Sequence, residues 1–198
     1  MAGITQVLLV RNSFGIDYFT KLLDDKQTAN LVYDAYEPSG IPFTFCNSWG
    51  QNTTITITAS IQAVPDYFFH IGWNTSYHYE NLVRTAEAML IHVTPCVSFE
   101  ESLKEIKYCV KLLRDIHDHY DSDFELSTFP LVILISQNEL AKELPEEAID
   151  FAKQINSQIF LLPEEADDGY MESFIYLLHR IPKINIKPEK EKKECAIN

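Results

Sequence analysis

The side chains able to do chemistry are scattered along the chain, and their spacing decides what each group can do. His117-Asp118-His119, followed by Asp121 and Asp123, offers the nitrogen and carboxylate donors of a metal site. Residues two apart diverge on a helix, so this spacing predicts a solvated helix end, and no metal ligand is assigned there. The four cysteines, Cys46, Cys96, Cys109 and Cys195, include no CxxC pair and no zinc spacing. That pattern predicts buried small hydrophobes in a reducing compartment. Cys195 stands apart, because Cys195-Ala196-Ile197-Asn198 fits the C-a-a-X pattern that marks a cysteine for prenylation, with Asn198 outside the usual choices for the last place. No Ser/His/Asp or Cys/His set lies in a recognisable motif, so no catalytic residue is assigned.

The elements around them say where a site would form. Residues 6–10 (QVLLV) read as a buried strand. Residues 16–23 read as a helix with Phe19, Leu22 and Leu23 on one face, and a loop with Pro38, Gly40 and Pro42 follows. Residues 53–61 (TTITITASI) alternate as a half-buried strand does, and residues 67–71 predict a neighbouring one. The continuous apolar runs 88–93 (AMLIHV) and 131–135 (LVILI) predict central strands buried on both faces. A long helix is expected over 99–119, others over 144–156 and 170–181, and a last strand over 158–162. Strands alternating with helices predict an α/β fold, a mostly parallel six-stranded sheet with helices on both faces. Sites in such folds lie beyond the carboxyl ends of the strands, so the loops beginning at Arg11, His70, Ser136 and Pro163 carry the argument.

Composition narrows the partners. The 198 residues are 46% hydrophobic and 23% charged, ordinary for one globular domain. The net charge of −13 argues against a nucleic-acid partner, since phosphate binding begins with clustered Lys and Arg. Residues 183–198 hold five Lys against three Glu, a net of +2 that leaves residues 1–182 at −15. The chain therefore reads as a domain over 1–182 and a flexible lysine-rich tail over 183–198. The start has no basic segment ahead of an apolar run, and no stretch approaches the ~20 apolar residues of a membrane span. The expected location is intracellular, and the Asn-x-Ser/Thr matches at Asn52 and Asn74 are read as accidental.

Several segments together resemble the Ras superfamily of small GTPases. Residues 84–103 (RTAEAMLIHVTPCVSFEESL) are similar to the family's stretch after its second switch, where Arg-Thr-Gly-Glu-Gly leads into an apolar strand and a loop ending in Ser-Phe-Glu. Tyr36-Glu37-Pro38-Ser39 resembles the first-switch Tyr-Asp-Pro-Thr, and Gly169 with Phe174 matches the Gly and Phe that begin the family's last helix. The resemblance covers about residues 4–181 and implies a P-loop small GTPase-like fold with guanine nucleotide and Mg²⁺ as ligands.

The positions it assigns to those ligands are mostly substituted. A P-loop needs G-x-x-x-x-G-K-[ST], glycines for close backbone approach, Lys for charge and a hydroxyl for Mg²⁺. Here the segment reads Arg11-Asn12-Ser13-Phe14-Gly15-Ile16-Asp17-Tyr18, with Gly15 one place out of register and Asp17 where the lysine belongs. Unit charges ~4 Å apart interact by roughly 4 kcal/mol near a surface, so exchanging attraction for repulsion is severe for a polyphosphate. Tyr18 carries its oxygen too far from the backbone to replace a Ser hydroxyl. The second switch offers His70-Ile71-Gly72-Trp73-Asn74, in which no register restores Asp, Gly and Gln together. The base-reading Asn-Lys-x-Asp corresponds to Ser136-Gln137-Asn138-Glu139, where Glu139 alone keeps a carboxylate. The last motif, Ser-Ala-Lys, corresponds to Pro163-Glu164-Glu165 in an acidic loop. Ser39 retains a hydroxyl where the family's Thr meets Mg²⁺.

Two readings follow. The first is a pseudo-GTPase that acts as a regulatory or scaffolding protein, engages protein partners through residues 36–49 and 70–82, where Trp49 and Trp73 lie, and is held reversibly at a cytoplasmic membrane face by prenylated Cys195. The second is a divergent but working switch that binds GTP or GDP with Mg²⁺ through Asn12, Ser13 and the backbone near Gly15.

Overall fold

The computed structural model describes residues 4–11, 40–46, 50, 52–63, 83–163 and 167–184. The two apolar runs that predicted central strands are buried throughout, at every residue of Ala88–Val93 and of Leu131–Ser136. Six strands form one sheet: β1 (Ile4–Arg11), β2 (Gly40–Cys46), β3 (Asn52–Ala63), β4 (Ala88–Val93), β5 (Leu131–Ser136) and β6 (Gln158–Leu162), in spatial order β2-β3-β1-β4-β5-β6. Among the described strands only β2 runs antiparallel to its neighbour. Among the described residues the sheet is accompanied by the helices α1 (Phe99–Tyr120), α2 (Glu146–Gln154) and α3 (Asp167–His179). The fold class is α/β.

Side chains alternate across a strand, and the two faces of β4 and β5 are covered by different helices. Met89, Ile91 and Val93 with Leu131, Ile133 and Ile135 join Ile106, Val110, Leu113 and Ile116 of α1 and Ala152 of α2 in one apolar cluster. Leu90, Val132 and Leu134 occupy the intervening positions and are equally buried, and α3, with Phe174, Leu177 and Leu178 inside, lies against β4, β5 and β6. Full burial of a side chain such as Leu or Ile stabilises by about 1.5–3 kcal/mol, so this centre dominates the described core.

Helix limits follow from local chemistry. Ser98 caps α1, its Oγ accepting from the Glu101 N–H at 3.1 Å, and Glu100 and Glu101 face the positive end of the helix dipole. α2 stops at Gln154, two residues before the limit expected from its apolar pattern. Asn156 takes a left-handed φ of 53°, its N–H donating to Lys153 O while the Ser157 N–H donates to Ala152 O. That paired arrangement ends a helix by satisfying its last carbonyls. α3 begins at Asp167, earlier than expected, and Gly169 packs so closely that a Cβ there would lie 3.2 Å from Leu162 Cδ2.

The expected loop around Gly40 and Pro42 is instead strand β2. Glycine and proline mark loops in sequence, but an edge strand uses one side of its backbone only and holds a proline whose missing N–H faces outward. Gly50, in the connection to β3, has a φ of 77°, a conformation that favours glycine. The strand expected over 67–71 and the helix expected over 16–23 lie outside the described residues. So do residues 185–198 of the tail. Pro182–Ile184 forms a turn of 3-10 helix with Ile184 buried, and Lys183 pairs with Glu87 just ahead of β4.

Candidate functional site

The carboxyl ends of β4 and β5 bring together a small polar cluster inside an otherwise apolar centre. His92 and Ser136 sit at even positions of adjacent parallel strands, whose register pairs His92 with Leu134. Ser136 therefore lies two residues further along the same face. His92 Nε2 and Ser136 Oγ are 2.9 Å apart, and the Thr94 hydroxyl donates to Ser136 Oγ at 3.1 Å. His92 is 1% exposed and Ser136 9%. Burying a hydroxyl and an imidazole is costly unless they are bonded, and here they bond each other.

The next residues turn inward on themselves. Gln137 donates its N–H to Leu162 O at 2.6 Å, joining the ends of β5 and β6, and its side-chain amide donates to Lys142 O at 2.9 Å. Asn138 donates through Nδ2 to Pro95 O at 2.6 Å and accepts through Oδ1 from the Leu140 N–H at 2.9 Å. Its backbone also bridges Ala141. Glu139 stays exposed at the tip.

Of the residues singled out for nucleotide binding, the structure thus places Ser136 at the end of β5 and Gln137 and Glu139 in the loop that follows. The first two are occupied with protein partners, and Glu139 is open to solvent. Asn12, Ser13, Gly15, Asp17, Tyr18 and Ser39 lie outside the described residues, as do Cys195, residues 70–82, and Trp49 and Trp73. Pro163 follows β6 and is exposed. His92, Thr94 and Asn138 were not anticipated. A polar residue near the carboxyl end of each of two adjacent apolar strands, His92 in AMLIHV and Ser136 in LVILIS, is the signal in the sequence that went unused.

Two expectations for other side chains are corrected. His117 does not belong to a solvated helix end: it is 8% exposed, stacked on Phe124 at 4.2 Å between ring centroids, and tilted against Phe129 at 5.6 Å. Its Nε2 lies 3.2 Å from the Val83 carbonyl, and burial holds its pKa below the ordinary 6.5 against the opposing pull of that carbonyl, Asp121 and Asp118. Asp118, His119, Asp121 and Asp123 are exposed. Among the described residues no group of three His, Cys, Asp or Glu side chains is placed to hold a metal ion. Cys96 is exposed, contrary to the expectation that the thiols are interior, whereas Cys109 is buried and its thiol is pushed up to about 12, chiefly by burial.

Comparison with known proteins adds no family: no family model matches the chain, and no curated protein matches it. Among the described residues no helix is long and apolar enough to cross a membrane.

Proposed function

We propose that the chain is a Ras-like pseudo-GTPase, a P-loop small GTPase-like domain whose ligand loops have been rebuilt for a role other than nucleotide turnover. It acts as a regulatory or scaffolding protein, meeting protein partners through residues 36–49 and 70–82 and a cytoplasmic membrane face through a prenylated Cys195. The observation that carries the reading is the loop after β5. At the place the resemblance assigns to a base-reading Asn stands Ser136, whose oxygen is taken by His92 and Thr94. Beside it Gln137, in the place of the Lys, spends its side-chain amide on the Lys142 carbonyl. The mostly parallel sheet, with α1 and α2 on one face and α3 on the other, supports the architecture that the resemblance implies. Asp17 in place of a phosphate-binding Lys supports it from the sequence side.

One observation favours the second reading, a divergent GTP- or GDP-binding switch with Mg²⁺. Glu139 keeps an exposed carboxylate where the family's Asp would meet the guanine edge. The nucleotide content of natively purified protein separates the two. Denatured protein run on ion exchange is expected to release no guanine nucleotide, with a melting temperature unmoved by excess GDP and Mg²⁺. A stoichiometric guanine nucleotide would sink the pseudo-GTPase reading.

A further inference from the structure

A loop that recognises a ligand must keep donors and acceptors available for it, and such loops gain their order when the ligand arrives. The loops after β4 and β5 are arranged the other way. Asn138 is half-buried between them and uses both ends of its amide on the protein. Nδ2 donates across to Pro95 O, in the loop joining β4 to α1, at 2.6 Å, while Oδ1 accepts from Leu140 N–H in its own loop at 2.9 Å. Only one orientation of the amide serves both, since a flipped group would set oxygen against carbonyl and N–H₂ against N–H. The Ala141 N–H returns to Asn138 O at 3.1 Å, and Gln137 fastens the loop's other side to Leu162 and Lys142. Beneath lies the cluster of His92, Thr94 and Ser136, which joins the same two strands one layer deeper.

We propose that Asn138 is an internal latch that fixes the β4–α1 and β5–α2 loops in one arrangement without any bound ligand, supplying from within the chain the order that a bound base would otherwise lend to the loop after β5. The inference rests on the pseudo-GTPase reading for its meaning, but its geometry stands on Asn138 itself. A latched end of the sheet gives this protein a single state at these loops, insensitive to nucleotide.

Two variants dissect the latch in the full chain. Asn138→Asp keeps an acceptor for Leu140 N–H and sets a carboxylate against the Pro95 carbonyl, so it breaks the cross-loop bond alone. Asn138→Ala removes both bonds. Backbone ¹⁵N relaxation reads the outcome. In nucleotide-free wild-type protein, residues 96–98 and 139–141 are expected to show order parameters near the rigid value of ~0.85, unchanged on adding GDP and Mg²⁺. Asn138→Asp should loosen residues 96–98 most, and Asn138→Ala both loops, toward the ~0.6 of flexible backbone. Loops already flexible in the empty wild-type protein and unmoved by nucleotide, or variants as rigid as wild type, would overturn the latch and leave the pseudo-GTPase reading standing. Loops that stiffen only when GDP and Mg²⁺ are added would overturn both.

Discussion

Two buried histidines sit at opposite ends of the central strands β4 and β5 and are accommodated by opposite means. His92, at the carboxyl end of β4, meets the Ser136 hydroxyl at 2.9 Å, and Thr94 is bonded to that same oxygen. His117, in the last turn of α1, is enclosed by Phe124 and Phe129 and touches the backbone at Val83. Val83 lies five positions ahead of β4 and Phe129 two ahead of β5, so this second nest sits at the amino ends of those two strands. One end is joined by short-range, directional bonds that fix loop geometry, and the other by apolar area that gives stability but little orientation. The polar end is therefore the one suited to a site, and the aromatic end the one suited to holding the helix down.

The largest expected effect comes from breaking the aromatic end. Phe129 is 8% exposed and touches both other rings. Phe129→Ala should cost about 3–4 kcal/mol in urea unfolding, as for a truncated core Phe. If it costs under about 1 kcal/mol, the nest is not a structural anchor. A smaller loss is expected at the polar end. Ser136→Ala removes the oxygen that His92 and Thr94 share and should cost about 1–2 kcal/mol, the penalty of disturbing a buried hydrogen-bond group. An unchanged denaturation midpoint would mean the cluster contributes nothing to folding.

The smallest effect is in pH. Burial holds the His117 pKa below 6.5, so the unfolded chain takes up a proton at a higher pH than the folded one. The stability associated with a neutral His117 is complete above pH 6.5 and is lost as pH falls from there through the folded pKa. Wild-type stability measured between pH 7.5 and 5 should therefore decline more steeply than that of His117→Phe, which fits the nest and carries no titrating ring. Parallel curves for the two proteins would remove His117 as the cause.

Much of the described fold was legible in the sequence, because burial on both faces leaves a plain mark. AMLIHV and LVILI declared themselves as central strands by having almost no polar residue. The apolar spacing of Leu103, Ile106, Val110 and Leu113 declared α1, and its Ser98 cap emerged only with the structure. Strand β2 was hidden because Gly40 and Pro42 are loop-formers everywhere except at a sheet edge. The end of α2 was hidden because nothing local announces that Asn156 will turn left-handed. Of the candidate site, the sequence located the loop starting at Ser136 from topology alone, since parallel strands deliver their carboxyl ends to one side.

The sequence by itself determined the α/β class and the two central strands. Periodicity and residue type are local properties that any chain displays before it folds. Only the tertiary structure decided what the polar residues do with one another. His92 and Ser136 are 44 positions apart, and Asn138 and Pro95 are 43. A hydrogen bond reaches only ~3 Å, so which donor meets which acceptor is settled by the strand register that brings such distant residues side by side.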